Sequence, residues 1–159
     1  MNNNPYIEYK GQKYEFEADF VMKRDFDRER QNEVKKCLVR SGVTEKDYEN
    51  FKEIQEFALE NKEAGIEKLT EEQKSILVRM FDLLDTLSLI PLYEKYCHKM
   101  LERKYGMSKS QFQSILEGLA EEYGISFVDE VVQKVCEKVF TQVVEKEEKK
   151  PLPTWDWMN

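Results

Sequence analysis

The sequence predicts a mainly α protein, a helical bundle of about five to six helices behind an N-terminal two-stranded β-hairpin. Three observations carry that reading. Apolar residues recur every three or four positions through most of the chain. Two Ser/Thr-x-x-Gln sequences, Thr70 to Gln73 and Ser108 to Gln111, each open such a run. Only the stretch Tyr6 to Glu17 alternates with period two, around a glycine.

The hairpin comes first, at residues 5–17. With Gly11-Gln12 as its turn, Tyr9 faces Tyr14 and Ile7 faces Phe16. Ile7, Tyr9, Tyr14 and Phe16 then share one apolar face. A lone hairpin is marginal in water, so that face should dock on the helices or on another chain.

Asp19 is the expected N-cap of the next helix, which runs to Ser41-Gly42 with glycine just past its end. Its middle, Lys23 to Lys36, is mostly charged, which points to a broken or largely exposed helix. Its apolar positions are Phe20, Val21, Phe26, Val34, Cys37 and Leu38. Thr44 caps a second helix carrying Tyr48, Phe51, Ile54 and Ala58, ending between Asn61 and Gly65. Thr70 opens the most apolar helix, whose Ile76, Leu77, Met80, Phe81, Leu83, Leu84 and Leu87 cover more than half the circumference. Such a helix is expected to be central. Pro91 starts another, from about Leu89 to Tyr105-Gly106, with Ser88 as its candidate cap. Ser108 opens a narrow stripe of Phe112, Ile115, Leu116, Leu119, Ala120 and Tyr123, ended by Gly124. Ser126 caps the last helix, where Val128, Val132, Val135, Val139 and Val143 recur on one side, flanked by Val131 and Cys136. Valine is a poor helix former alone, so this helix must be held by packing, in its own core or against another subunit.

Residues 1–150 read as a single domain. Pro151 to Asn159 follow as an extended tail holding both tryptophans, Trp155 and Trp157, either folded back or offered to a partner.

Composition narrows function. Of 159 residues 36% are charged and the net charge is −7, which argues against nucleic acid and anionic membranes as partners. The longest uncharged run, Thr86 to Tyr93, is too short to span a bilayer, and no N-terminal apolar segment suggests secretion. The three cysteines, Cys37, Cys97 and Cys136, read as reduced core thiols of a cytosolic protein. With His98 the only histidine, no metal or cofactor site and no catalytic residue is expected. Cys97 and His98 are neighbours on a helix and point about 100° apart. Asp82 and Asp85 lack the companions that a di-metal bundle needs. The segment from Phe112 to Phe127 could pass for a helix-turn-helix, but its second helix offers Asp129, Glu130 and Glu137 to the groove. No small-molecule substrate is implied, and the chain reads as a protein-binding protein rather than an enzyme.

The opening Ile7-Glu-Tyr-Lys-Gly-Gln-Lys-Tyr-Glu-Phe16, running into Phe20 and a helix, resembles the start of tail assembly chaperones of long-tailed, siphovirus-type bacteriophages. The match covers about a tenth of the chain; the remainder agrees in length, acidity and helical content. The resemblance implies a non-catalytic role in the host cytoplasm: binding the tape measure protein and helping recruit tail tube subunits. A longer frameshifted form and self-association are also implied. The interaction residues expected on this reading are Ile7, Tyr9, Tyr14 and Phe16 on the hairpin, Val132, Val135, Val139, Phe140 and Val143 on the last helix, and Trp155 and Trp157 in the tail. The alternative is a small acidic adaptor or inhibitor of one host protein. One continuous acidic face would favour that adaptor; mixed charges around an apolar groove would favour the chaperone.

Overall fold

The computed structural model describes residues 4–60 and 67–148. Two strands and six helices follow in order: β1 (Tyr6–Tyr9), β2 (Gln12–Glu15), α1 (Phe20–Arg40), α2 (Glu45–Glu60), α3 (Glu71–Leu84), α4 (Ile90–Tyr105), α5 (Lys109–Tyr123) and α6 (Ile125–Glu148). The stretch read from sequence as one domain contains two compact units. The first is Met1–Asp27 with Ile90–Asn159, and the second is Arg28–Leu89. The tail from Pro151, with Trp155 and Trp157, lies outside the described residues, as does the stretch from Asn61 to Gly65 where the second helix is expected to end.

The hairpin turns one residue earlier than expected. Its loop is Lys10-Gly11, and the pairs are Tyr6 with Glu15, Ile7 with Tyr14, Glu8 with Lys13, and Tyr9 with Gln12. Both loop residues have positive φ, 50° and 77°. That is the I′ turn, whose twist matches the strands and which wants glycine second; the sequence reading had placed it first. The partner of Ile7 thereby moves by two residues, from Phe16 to Tyr14. A shift of two preserves the faces of a pleated strand, so the apolar side was read correctly although the pairing was not.

That side docks on the chain's own helices. Ile7 and Phe16 are buried, while Tyr9 and Tyr14 are half-buried. The Tyr14 ring meets the Tyr105 ring edge-on at 5.4 Å, and the Tyr105 hydroxyl accepts a hydrogen bond from the Glu15 amide at 2.8 Å. Tyr9 lies so close over α5 that a Cβ on Gly118 would sit 2.3 Å from its hydroxyl. Gly118 is therefore kept for close approach, against the ~1 kcal/mol that alanine would gain in a helix. Gly118→Ala in the Tyr9→Ala background is expected to raise stability by about 1 kcal/mol, and in the native background to lose that gain to the clash. Urea titration of the four proteins measures the difference.

Charges tie the same junction. Lys104 reaches Glu17 at 2.9 Å and Glu15 at 3.4 Å, and Arg103 reaches Asp19 at 2.7 Å. Both cations stand in the last turn of α4, where the helix dipole favours them. Asp19 also caps α1, accepting the Met22 amide at 2.9 Å. The Lys104 hydrogen bond holds Glu17 below the usual carboxylate range, and the Met22 amide followed by Arg103 does the same for Asp19. For an acid whose pKa is depressed by folding, the stabilisation is present above the ordinary range and is lost as pH falls through the folded value. Stability is therefore expected to decline as the pH drops below ~4, measured as a falling urea midpoint. Glu17→Gln should flatten that decline. Glu94 works in the opposite sense, since burial and then Asp129 push its carboxyl up.

In the first unit α4, α5 and α6 pack on one another. Leu92, Tyr96, Met100 and Leu101 of α4 meet Phe112, Ile115, Leu116 and Leu119 of α5 and the valine side of α6, all buried. Phe26 of α1 completes an aromatic cluster, its ring 4.6 Å from Phe140, 5.2 Å from Tyr96 and 5.9 Å from Tyr93. Thr70 and Ser108 both form the full reciprocal capping box. Pro91 is the second residue of α4, in the first turn, where its missing amide proton is not needed. Two expectations at the α5–α6 corner fail. Gly124, at φ 97°, reverses the chain so sharply that α6 begins at Ile125, leaving Ser126 inside the first turn rather than capping it. Tyr123, the last residue of the expected stripe, is exposed and packs on Phe127 at 4.9 Å.

The second unit has a smaller core. Leu38, Val43, Tyr48, Phe51 and Met80 are buried together, with Val34, Ile76, Leu77, Leu83 and Leu84 partly covered around them. α1 runs unbroken into it, because charged residues such as Lys, Arg and Glu are good helix formers and need no buried face. Phe20 and Val21 at its start are about half exposed, not core. Its end is a Schellman closure: Val43 donates to the Leu38 carbonyl and Gly42 to that of Val39, both at 3.0 Å. Thr44 caps α2 through the Asp47 amide at 3.2 Å. α3 is not the central helix. Of its residues Met80 alone is buried. It is apolar on more sides than α1 and α2 cover, and the surplus faces outward.

Candidate protein-binding surfaces

Two of the three interaction sets read from sequence are used inside the first unit. Ile7, Tyr9, Tyr14 and Phe16 close against α4 and α5, as described above. Val132, Val135, Val139, Phe140 and Val143 are all buried, and each is directed at the chain's own helices. The valine spacing was legible; what it packs against was not, because core and subunit interface ask for the same periodic stripe. Trp155 and Trp157, the third set, lie outside the described residues.

The apolar surface that stays open is elsewhere, and the sequence reading missed it. On the second unit Leu59 is 78% exposed, Val78 61% and Phe81 53%, with Val39 and Phe57 also exposed. Leu59 and Phe81 border a groove of about 410 Å³ whose floor is Val34, Tyr48, Phe51 and Leu84, and whose rim carries Arg30, Lys52 and Glu56. The Phe81 ring stands edge-on to buried Phe51 at 5.7 Å, so the groove wall is anchored in the core below it. A signal for this surface was present. Phe57 falls off the Tyr48, Phe51 and Ile54 stripe of α2, and α3 has more apolar sides than a two-helix neighbourhood can cover. An apolar groove with charges of both signs on its rim can take the apolar face of an amphipathic helix.

The first unit has a second cleft, of about 540 Å³, between the hairpin and the start of α5. Tyr9, Tyr14, Tyr105 and Met107 give it aromatic and apolar walls, and Lys10, Ser110 and Ser114 give it polar ones. It offers stacking and hydrogen bonding, but no acid–base pair. His98 is not part of it; its Nε2 donates to the Met107 carbonyl at 3.0 Å, and its ring stacks on Phe112 at 5.7 Å. A third exposed apolar point is the α5–α6 corner, where Ile125 is 71% exposed beside Tyr123 and Phe127.

Several charges on the described surface are paired with the opposite sign. Lys23 pairs with Asp27, Lys35 with Glu45 at 3.0 Å, and Lys134 with Glu130 at 2.6 Å. The Lys35 ammonium is held above its usual range by the Glu45 hydrogen bond, and that of Lys134 by Glu130. Among the described residues no three His, Cys, Asp or Glu side chains come together to hold a metal ion. No described helix is long and apolar enough to cross a membrane. No protein-family model matches the chain, and neither the curated proteins nor the solved structures yield a match.

Proposed function

We propose that this chain is a non-catalytic protein-binding protein, and that it serves as a tail assembly chaperone of a long-tailed bacteriophage. In this reading it works in the host cytoplasm as a homo-oligomer, shields the tape measure protein and helps recruit tail tube subunits. The observation that carries the binding role is the open groove bordered by Leu59 and Phe81. Exposed apolar side chains of that size, gathered around a groove, are what a protein partner covers. The tail-assembly assignment rests on the hairpin resemblance alone.

The client chemistry follows from the groove. Its floor suits leucine-, valine- or phenylalanine-rich turns of an amphipathic helix, and Arg30, Lys52 and Glu56 on the rim suit a client with mixed charges beside its apolar face. The adaptor alternative needs one continuous acidic face to imitate nucleic acid, whereas Lys23, Lys35 and Lys134 each pair with a carboxylate on the described helices. Co-expression with the tape measure protein of the same gene cluster tests the proposal. The expected result is a soluble complex eluting together. A client that stays insoluble while this chain elutes alone would move the assignment to the adaptor.

A further inference from the structure

α4 and α6 carry one cysteine each at the same level. Cys97 and Cys136 are both fully buried, and their sulfurs are 3.8 Å apart. The arrangement around them is reciprocal. The Cys97 thiol donates to the Val132 carbonyl at 3.6 Å, and the Cys136 thiol donates to the Tyr93 carbonyl at 3.5 Å. Val132 lies four residues before Cys136, and Tyr93 four residues before Cys97. Each thiol therefore rests on the helical turn that precedes the other cysteine. Two helices reach that proximity only where both side chains are small, so the sulfurs stand in contact with nothing between them. Cys37 belongs to the other unit, where its thiol donates to the Leu83 carbonyl at 3.7 Å.

We infer that Cys97 and Cys136 are a redox pair, able to close into an intramolecular disulfide with hydrogen peroxide or a related small peroxide as oxidant. The two sulfurs need to approach by ~2 Å to reach bonding distance. A rotation of the two side chains with a small shift of α6 on α4 supplies that movement. One thiol loses its proton, and its sulfur attacks a peroxide oxygen, giving a sulfenic acid and water. The second sulfur then attacks the first, its proton leaving with the displaced hydroxide as another water. Two thiols and one hydrogen peroxide thus give one disulfide and two waters. The disulfide ties helices 39 residues apart in sequence. Burial pushes the Cys97 thiol up, and the neighbouring Cys136 adds to the effect, so the native pair is expected to react slowly and faster at higher pH.

The test uses the full chain. The protein is treated with hydrogen peroxide at a few pH values, unfolded, alkylated, digested and analysed by mass spectrometry without reduction. The expected result is a peptide linking Cys97 to Cys136 that has lost two hydrogens, with Cys37 still alkylated. The thermal midpoint should rise by about 5–10 °C and fall back on reduction. The same link should form in the Cys37→Ser chain. Recovery of both Cys97 and Cys136 in alkylated form, their oxidation to sulfinic acid without a link, or cross-linking between chains through Cys37 would each overturn the inference.

Discussion

Phe112→Ala is expected to destabilise the protein by about 3–5 kcal/mol, seen as a lower urea midpoint with an unchanged slope. The reason is position as much as size. Phe112 is almost wholly buried in the second turn of α5, and its ring stacks on His98. The His98 imidazole in turn holds the Met107 carbonyl just before the Ser108 cap. Removing the ring leaves a cavity between α4 and α5 and takes away the surface that orients His98. Hydrogen exchange should then quicken first at the start of α5 and in the last turns of α4. A loss under about 1 kcal/mol would mean that the α4–α5 contact contributes little and that α6 alone holds the unit.

Replacing Leu59 and Phe81 together by aspartate is expected to weaken client binding by about 100-fold, or ~2.7 kcal/mol. Both side chains border the groove, and both are more than half exposed in the free chain. A carboxylate there must be desolvated when an apolar helix face arrives, and no cation of such a face repays that cost. Exposed substitutions of this kind usually change stability by about 0.5 kcal/mol; Phe81 adds the loss of its contact with Phe51, so ~1–2 kcal/mol in total is expected. Binding and folding are therefore separable at these two positions. At Val135 and Val139 the effect is expected on folding alone. Alanine there is expected to cost about 1–3 kcal/mol together and to leave assembly unchanged, because both side chains are enclosed by their own unit. A melting curve and an elution profile of the double variant check that pair.

The elements that were legible in the sequence are those governed by local rules. Both capping boxes, the Asp19 and Thr44 caps, the glycine closure after Arg40 and the proline start of α4 depend on residues within one turn of each other. The hairpin's apolar face was legible for the same reason, since alternation survives a two-residue slip in pairing. Its turn was not, because Gly11 can serve either position of a two-residue loop, and the choice depends on Lys10 accepting a positive φ. What depends on neighbours could not be read from one chain in isolation. The surplus apolar sides of α3 looked like a central helix and are an outer one. The valine stripe of α6, which suits either a core or a subunit interface, is enclosed, while Leu59 and Phe81 on the second unit are exposed. Periodicity reports that a face will be covered, and not by what.

Light scattering on the co-expressed complex tests the central claim most directly, comparing the native chain with the Leu59→Asp, Phe81→Asp variant. The account predicts that the native chain elutes with the tape measure protein in a soluble complex holding several copies per client, while the doubly substituted chain folds but elutes alone. Equal complex formation by both chains would contradict the groove as the binding surface, and a native monomer beside an insoluble client would contradict the chaperone assignment itself.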